Sequence, residues 1–167
     1  MLVAHAFATF GMTGLIWLVQ GVQYPLFKEV GADAFQTYHE GHTRRITWIV
    51  LPLMTVEAST AVALWALRPP GLSPMLLGAG AALVGWVWAA TLWGAVGRHE
   101  VLSRGFDPTA HRSLLRINWT RTAAWTLRSG LCAHFLASSL AAPVETVPPM
   151  PVETLPGPGD HGTLGTP

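Results

Sequence analysis

Residues Tyr38 to Glu57 read YHEGHTRRITWIVLPLMTVE, and the way this stretch divides decides the fold. It opens with two histidines at helical spacing, His39 and His42, passes the basic pair Arg44 and Arg45, and then turns apolar. The 22 residues from Ile46 to Leu67 carry a single charge, Glu57, before Arg68 closes the run. At a helical rise of 1.5 Å per residue that run is about 33 Å long, enough to cross a hydrocarbon layer of ~30 Å. The stretch therefore reads as a membrane helix entered from a polar, histidine-bearing segment.

Working outward, the same character recurs. Met1 to Phe27 and Pro69 to Gly97 have no charged side chain, and Thr122 to Val144 has only Arg128. Only 11% of the 167 residues are charged and 50% are hydrophobic. Soluble domains carry about 25% charged residues, and a soluble bundle needs a charged outer face on every helix, which these segments lack. The expected fold is all-α, an integral membrane four-helix bundle over residues 1–142, with spans at about 2–23, 45–67, 74–97 and 117–141. The first span reads as retained, because no Lys or Arg precedes Lys28 and no small-residue cleavage site follows the apolar core. Pro25 is expected to end it, and Pro52 to kink the second. Residues 143–167 hold seven prolines and four glycines and no Lys or Arg, the composition of a disordered tail. Cys132 is the one cysteine, so no intrachain disulfide forms.

Orientation follows from the basic residues. The two longer loops and their helix ends hold Lys28, Arg44, Arg45, Arg98, Arg104, Arg112, Arg116 and Arg121, against Arg68 alone on the opposite side. The positive-inside bias places loops 1 and 3 in the cytoplasm, the termini outside, and the protein in the cytoplasmic (inner) membrane.

Sliding the chain on itself by 71 residues aligns Arg45-Ile46-Thr47-Trp48 with Arg116-Ile117-Asn118-Trp119, Gly14 with Gly85, and Trp17 with Trp88. It also aligns Glu29-Val30 with Glu100-Val101 and Phe35 with Phe106, for 11 identities over the 63 pairs from Ala4 to Ala66. The pattern is that of two parallel helix-loop-helix repeats. In this register Glu57 coincides with Arg128.

These two residues are the only full charges deep in their spans. An isolated charge at such depth costs at least ~2.5–3.5 kcal/mol, so a mutual ion pair between helices two and four is expected. Asn118, Arg121, Thr122, Trp125, Arg128, Ser129 and Cys132 fall within about a 120° arc of the fourth helix, which must turn that face inward. The candidate ligand pocket is accordingly Glu57, Asn118, Arg121, Trp125 and Arg128. His39 and His42 share a helix face and offer two imidazoles to a transition metal, with His99 and His111 completing a site if the two loops fold together. The alternative is a set of interfacial histidines bonded to headgroups or backbone. No glycine-rich phosphate loop, Ser-His-acid pattern or haem-attachment motif is present.

Asn118-Trp119-Thr120-Arg121-Thr122, with Arg128 following, resembles small four-helix bacterial membrane proteins of the anthrone-oxygenase-like family. The similarity covers about a dozen residues of the fourth helix and the four-helix layout. It implies membrane-bound oxidation of a flat phenolic substrate, with Asn118 and Arg121 near the pocket. His39 and His42 match no part of that pattern.

Two functions lead at this point, a small transporter being disfavoured because four helices leave little room for alternating access without a dimer. One is a metal- or small-ligand-binding oxidoreductase whose His-lined pocket opens to the cytoplasmic face and takes a hydrophobic or aromatic molecule. The other is a non-catalytic membrane subunit or assembly factor, working as a homo-oligomer or in a larger membrane complex. Both have the lipid bilayer, and no nucleic acid, as a partner. The topology is checked by cysteine labelling from outside intact cells: a cysteine at Ser73 is expected to react and one at Asp33 to stay protected, and the reverse result inverts the orientation.

Overall fold

The computed structural model describes residues 1–141; the Pro/Gly-rich tail expected over 143–167 lies outside them. Four long helical segments carry the described chain: α1 (Leu2–Glu29), α2 (Ala32–Leu67), α3 (Pro74–Leu102) and α4 (Pro108–Ala141). No strand occurs among the described residues. The first three are long and apolar enough to cross a membrane. The fourth, 34 residues long, is more polar because it carries Asn118, Arg121, Thr122 and Arg128, and all four of these are buried. Its polar face turns inward, as a polar stripe must where the surroundings are apolar.

Local sequence accounts for the helix ends. Asp107 caps α4 by accepting the Ala110 backbone N–H at 2.6 Å, with Pro108 in the first turn, where its missing N–H costs nothing. Arg68 ends α2 in the left-handed conformation (φ 44°), donating its N–H to the Leu64 carbonyl, and Pro69-Pro70 prevents continuation.

The helices run further than the apolar segments. What reads as a long first loop is mostly helix, since α2 starts at Ala32 and continues through His39 and Arg45 without a break. Pro52 lies inside that helix and does not end it. Pro25 does not end α1 either. A π turn, Val19–Gln23, precedes it, the helix continues through Tyr24–Leu26, and a 3-10 turn, Phe27–Glu29, closes the segment. Widening the turn before the proline rearranges the backbone bonds that its ring disrupts. A second π turn, Ala90–Ala95, interrupts α3. There Arg98 Nη1 donates to the carbonyls of Trp93 (3.2 Å) and Gly94 (3.0 Å), satisfying oxygens that a wide turn exposes.

In cross-section α1 packs against α2 and α4, and α3 packs against the same two, so α2 and α4 face each other diagonally. The core lies in three levels. Leu64, Leu72, Leu77 and Phe135 fill the end near Arg68. Met12, Ile16, Met54, Val87, Ala124 and Trp125 fill the middle. Val19, Tyr24, Phe27, Phe35, Leu102 and Leu114 fill the histidine-bearing end. Large apolar side chains such as Val3, Phe7, Trp48, Met75 and Trp93 point outward, a surface suited to lipid contact.

At Gly94 the backbone of α3 lies against a side chain of α4: a Cβ there would lie 2.6 Å from Ile117 Cγ1 and 3.0 Å from its Cδ1. Gly94→Ala is expected to lower thermal stability in detergent, since overpacking of ~1–3 kcal/mol outweighs a helix-propensity gain of about 1 kcal/mol. In an Ile117→Ala background the same change should become neutral or stabilising. A loss of equal size in both backgrounds places the strain elsewhere.

Candidate functional site

Two polar centres occupy the bundle interior, and they differ in kind. The first is closed. Arg128 Nε donates to Glu57 Oε1 at 2.8 Å, Trp125 Nε1 donates to Glu57 Oε2 at 2.9 Å, and Arg128 Nη1 donates to the Gly80 carbonyl. Both charged side chains are 2% exposed. The expected pair is thus formed, and it ties α2 and α4 across the diagonal with α3 as a third attachment. Each Glu57 oxygen has a donor and the carboxylate's charge is matched by Arg128. Around it, His5 Nδ1 bonds Thr60 Oγ1 (2.9 Å), and Thr13 Oγ1 bonds the Trp125 carbonyl (3.1 Å) and Ser129 Oγ (2.7 Å).

The second centre is open. Towards the histidine-bearing end α2 and α3 splay apart and leave a cleft of about 860 Å³. Its walls are apolar: Met12, Ile16 and Val19 from α1, Val50 and Met54 from α2, Trp88 and Leu92 from α3. Trp48, Leu51, Leu92 and Val96, all exposed, border it, so it faces sideways between two helices. Its polar corner is made by Tyr24, His39, His99 and Arg121.

Those groups are linked. Tyr24 Oη lies 2.9 Å from His99 Nε2, and His99 Nδ1 lies 3.0 Å from His39 Nε2. His39 Nδ1 is buried and has no partner among the described residues. Arg121 Nη1 donates to Asn118 Oδ1 at 3.0 Å, and Asn118 Nδ2 donates to Gln20 Oε1 at 2.8 Å. The guanidinium also stands over the Trp125 ring, 5.3 Å from its centroid, and within electrostatic reach of Tyr24 and His99. In one of the two tautomeric arrangements open to this chain of rings the Tyr24 hydroxyl donates to His99 Nε2. His99 then donates from Nδ1 to His39 Nε2, and His39 carries its hydrogen on the unpartnered Nδ1. The three rings form a relay that in this arrangement ends in a free donor.

Of the five residues expected to line a pocket, Arg121 alone reaches the cleft. Glu57, Trp125 and Arg128 are joined to each other, and Asn118 holds Arg121 from behind. The four histidines expected around a metal part company in a similar way. His39 and His99 meet, yet each turns a ring nitrogen on the other and not on a common point. His42 packs edge-on against Phe27 (5.1 Å) and Tyr24 (6.2 Å), with Nε2 buried and unpartnered. His111 Nε2 donates to the Tyr24 backbone carbonyl at 2.8 Å. Among the described residues no three His, Cys, Asp or Glu side chains are arranged to hold a metal ion.

The chain matches no family model, no curated protein and no solved structure significantly. The resemblance of α4 to the anthrone-oxygenase-like proteins therefore stands on its own residues alone.

Tyr24 and Gln20 complete the site and were not among the residues singled out from sequence. The signal lies in their spacing: both are polar positions in an uncharged span, four apart, hence on one helix face.

Removing one member of the closed centre leaves the other buried and unpaired, an effect of ~3–5 kcal/mol in buried pairs generally. Arg128→Leu is expected to aggregate at markedly lower temperature in detergent, with partial rescue on adding Glu57→Leu. Glu57→Gln, which keeps one acceptor oxygen for Arg128 or Trp125 and leaves no empty space, should be milder than Glu57→Leu. Strictly additive losses in the double variant refute the coupling.

Proposed function

We propose that this chain is a multi-pass membrane protein that binds a lipid-soluble small molecule in the cleft between α2 and α3. The molecule enters sideways from the bilayer and sets its polar end against Tyr24, His39, His99 and Arg121. The carrying observation is the combination in one cleft of apolar walls with two unpartnered buried nitrogens, Arg121 Nε and His39 Nδ1, at a single corner. Ligand sites are built this way, apolar for affinity with a few placed polar groups for orientation. The cleft volume also falls in the ordinary range of ~300–1,000 Å³ for such sites.

In this reading α4 crosses the membrane with the other three, its polar face hidden by them, and the histidine-bearing end faces the cytoplasm as the basic residues of the loops require. The relay lets one proton pass between a bound ligand at His39 Nδ1 and the Tyr24 phenol, by tautomer exchange in two imidazoles. A redox step rests only on the α4 resemblance, and a metal is not part of the proposal.

We also infer that the bundle arose from two helix-loop-helix units. The two π turns begin at Val19 and Ala90, a separation of 71 residues, and the paired Glu57 and Arg128 have the same separation. Such shared irregularities support the register obtained from identities alone.

Native mass spectrometry of the protein, extracted gently and released from detergent, tests the ligand. A bound apolar molecule is expected on the wild type and is expected to be lost from Thr91→Phe, which fills the cleft wall without touching the relay. Equal occupancy in Thr91→Phe, or no adduct on either protein, removes this reading and favours a non-catalytic structural role.

A further inference from the structure

The two buried arginines of α4 are treated differently by the fold. Arg128 is 3% exposed and has Glu57; Arg121 is 5% exposed and has no carboxylate. None of the ion pairs among the described residues, Lys28–Glu29, Arg104–Glu100 and Arg128–Glu57, includes it. Its Nε is buried without a partner, and so is His39 Nδ1 in the same corner. Arginine keeps its proton, so this cation has no way to neutralise itself. Asn118 and the Trp125 face moderate the cost but bring no negative charge. Glu40 and Glu100 line the mouth of the cleft, yet both are exposed, and they bond Gln36 and Arg104 respectively. Arg44, also at the mouth, adds positive charge.

We propose that the missing counter-charge belongs to the ligand, and that the cleft takes a long-chain amphiphile with a carboxylate head. Its two oxygens accept from Arg121 and from the His39 end of the relay, and its apolar body lies against Met12, Met54 and Trp88. A carboxylate ends at its two oxygens, which suits a head that must stop against buried side chains, and its plane matches the edge of a guanidinium. This assignment rests on the cleft being a ligand site and adds the charge of the ligand to that reading.

The test compares radiolabelled oleic acid with oleyl alcohol, binding to the full chain in nanodiscs of neutral lipid at a pH where the acid is ionised. The acid is expected to bind about 10-fold tighter than the alcohol, the scale of one charge-assisted contact. Arg121→Gln should bring the acid down to the level of the alcohol, while Arg121→Lys keeps part of the preference. Equal binding of acid and alcohol to the wild type overturns the anionic head and leaves the cleft as a ligand site; that comparison needs no variant to fold. Binding of neither probe overturns both readings. A preference for the acid that survives Arg121→Gln places the charge recognition elsewhere, and displacement of the acid by phosphatidylglycerol at equal concentration assigns the corner to a lipid phosphate instead.

Discussion

The Glu57–Arg128 pair is the constraint on which the bundle depends. Two opposite charges on diagonally placed helices meet at 2.8 Å in an interior where neither is stable alone. Arg128 also donates to the Gly80 carbonyl, so the same guanidinium that holds α2 to α4 holds α3. With the middle of the bundle pinned, α2 and α3 stay together towards the Arg68 end. They are free to diverge only towards the other end, and that divergence is the cleft. A closed polar centre and an open one are therefore two consequences of one fixed point.

Their contrast is chemical as well as geometric. In the closed centre the carboxylate has two donors, one from Arg128 and one from Trp125. Arg128 Nη2 has no partner, but its guanidinium has the carboxylate beside it; in the open centre Arg121 Nε and His39 Nδ1 have no partner and no carboxylate at hand among the described residues. Trp125 stands between the centres, donating from its ring nitrogen to Glu57 and offering its face to Arg121. The indole thereby couples the structural pair to the ligand corner, so a change in its position is felt in both.

Much of this was legible in the sequence, for physical reasons. Apolar runs of membrane length declare themselves without any tertiary information, and a lone Glu57 matched in depth by a lone Arg128 leaves few alternatives. The polar face of α4 was readable because helical periodicity places Asn118, Arg121, Trp125 and Arg128 together. What was not legible depended on backbone irregularity. Pro25 reads as a helix end, but the π turn ahead of it carries α1 on to Glu29, and this is what sets Tyr24 against His99. Likewise the first loop reads as a separate segment, because charged residues mark where apolar surroundings end and not where a helix ends. The continuation of α2 back to Ala32 brings His39 to the cleft beside His99 and leaves His42 against aromatic rings. Side-chain type identified the histidines as notable; only their relative rotation decides between a shared metal and a hydrogen-bonded relay.

Under the inferred duplication the seam that holds the cleft can be compared with its counterpart. In a register of 71 residues α1 corresponds to α3 and α2 to α4, so the seam between α2 and α3 has its counterpart in the seam between α4 and α1. That second seam is sewn shut. Trp17 Nε1 donates to Thr126, Asn118 to Gln20, and His111 to the Tyr24 carbonyl, while Thr13 meets Ser129. On the open seam the equivalents of Tyr24 and His111 are Ala95 and Glu40, a small residue lining the cleft and an exposed acid at its mouth. Smaller side-chain volume on one seam and more cross-links on the other distinguish the open seam from the closed one. Because Arg121 lies on α4, near the closed seam, yet reaches the open one, the cation that the fold leaves unmatched sits where the two units no longer correspond.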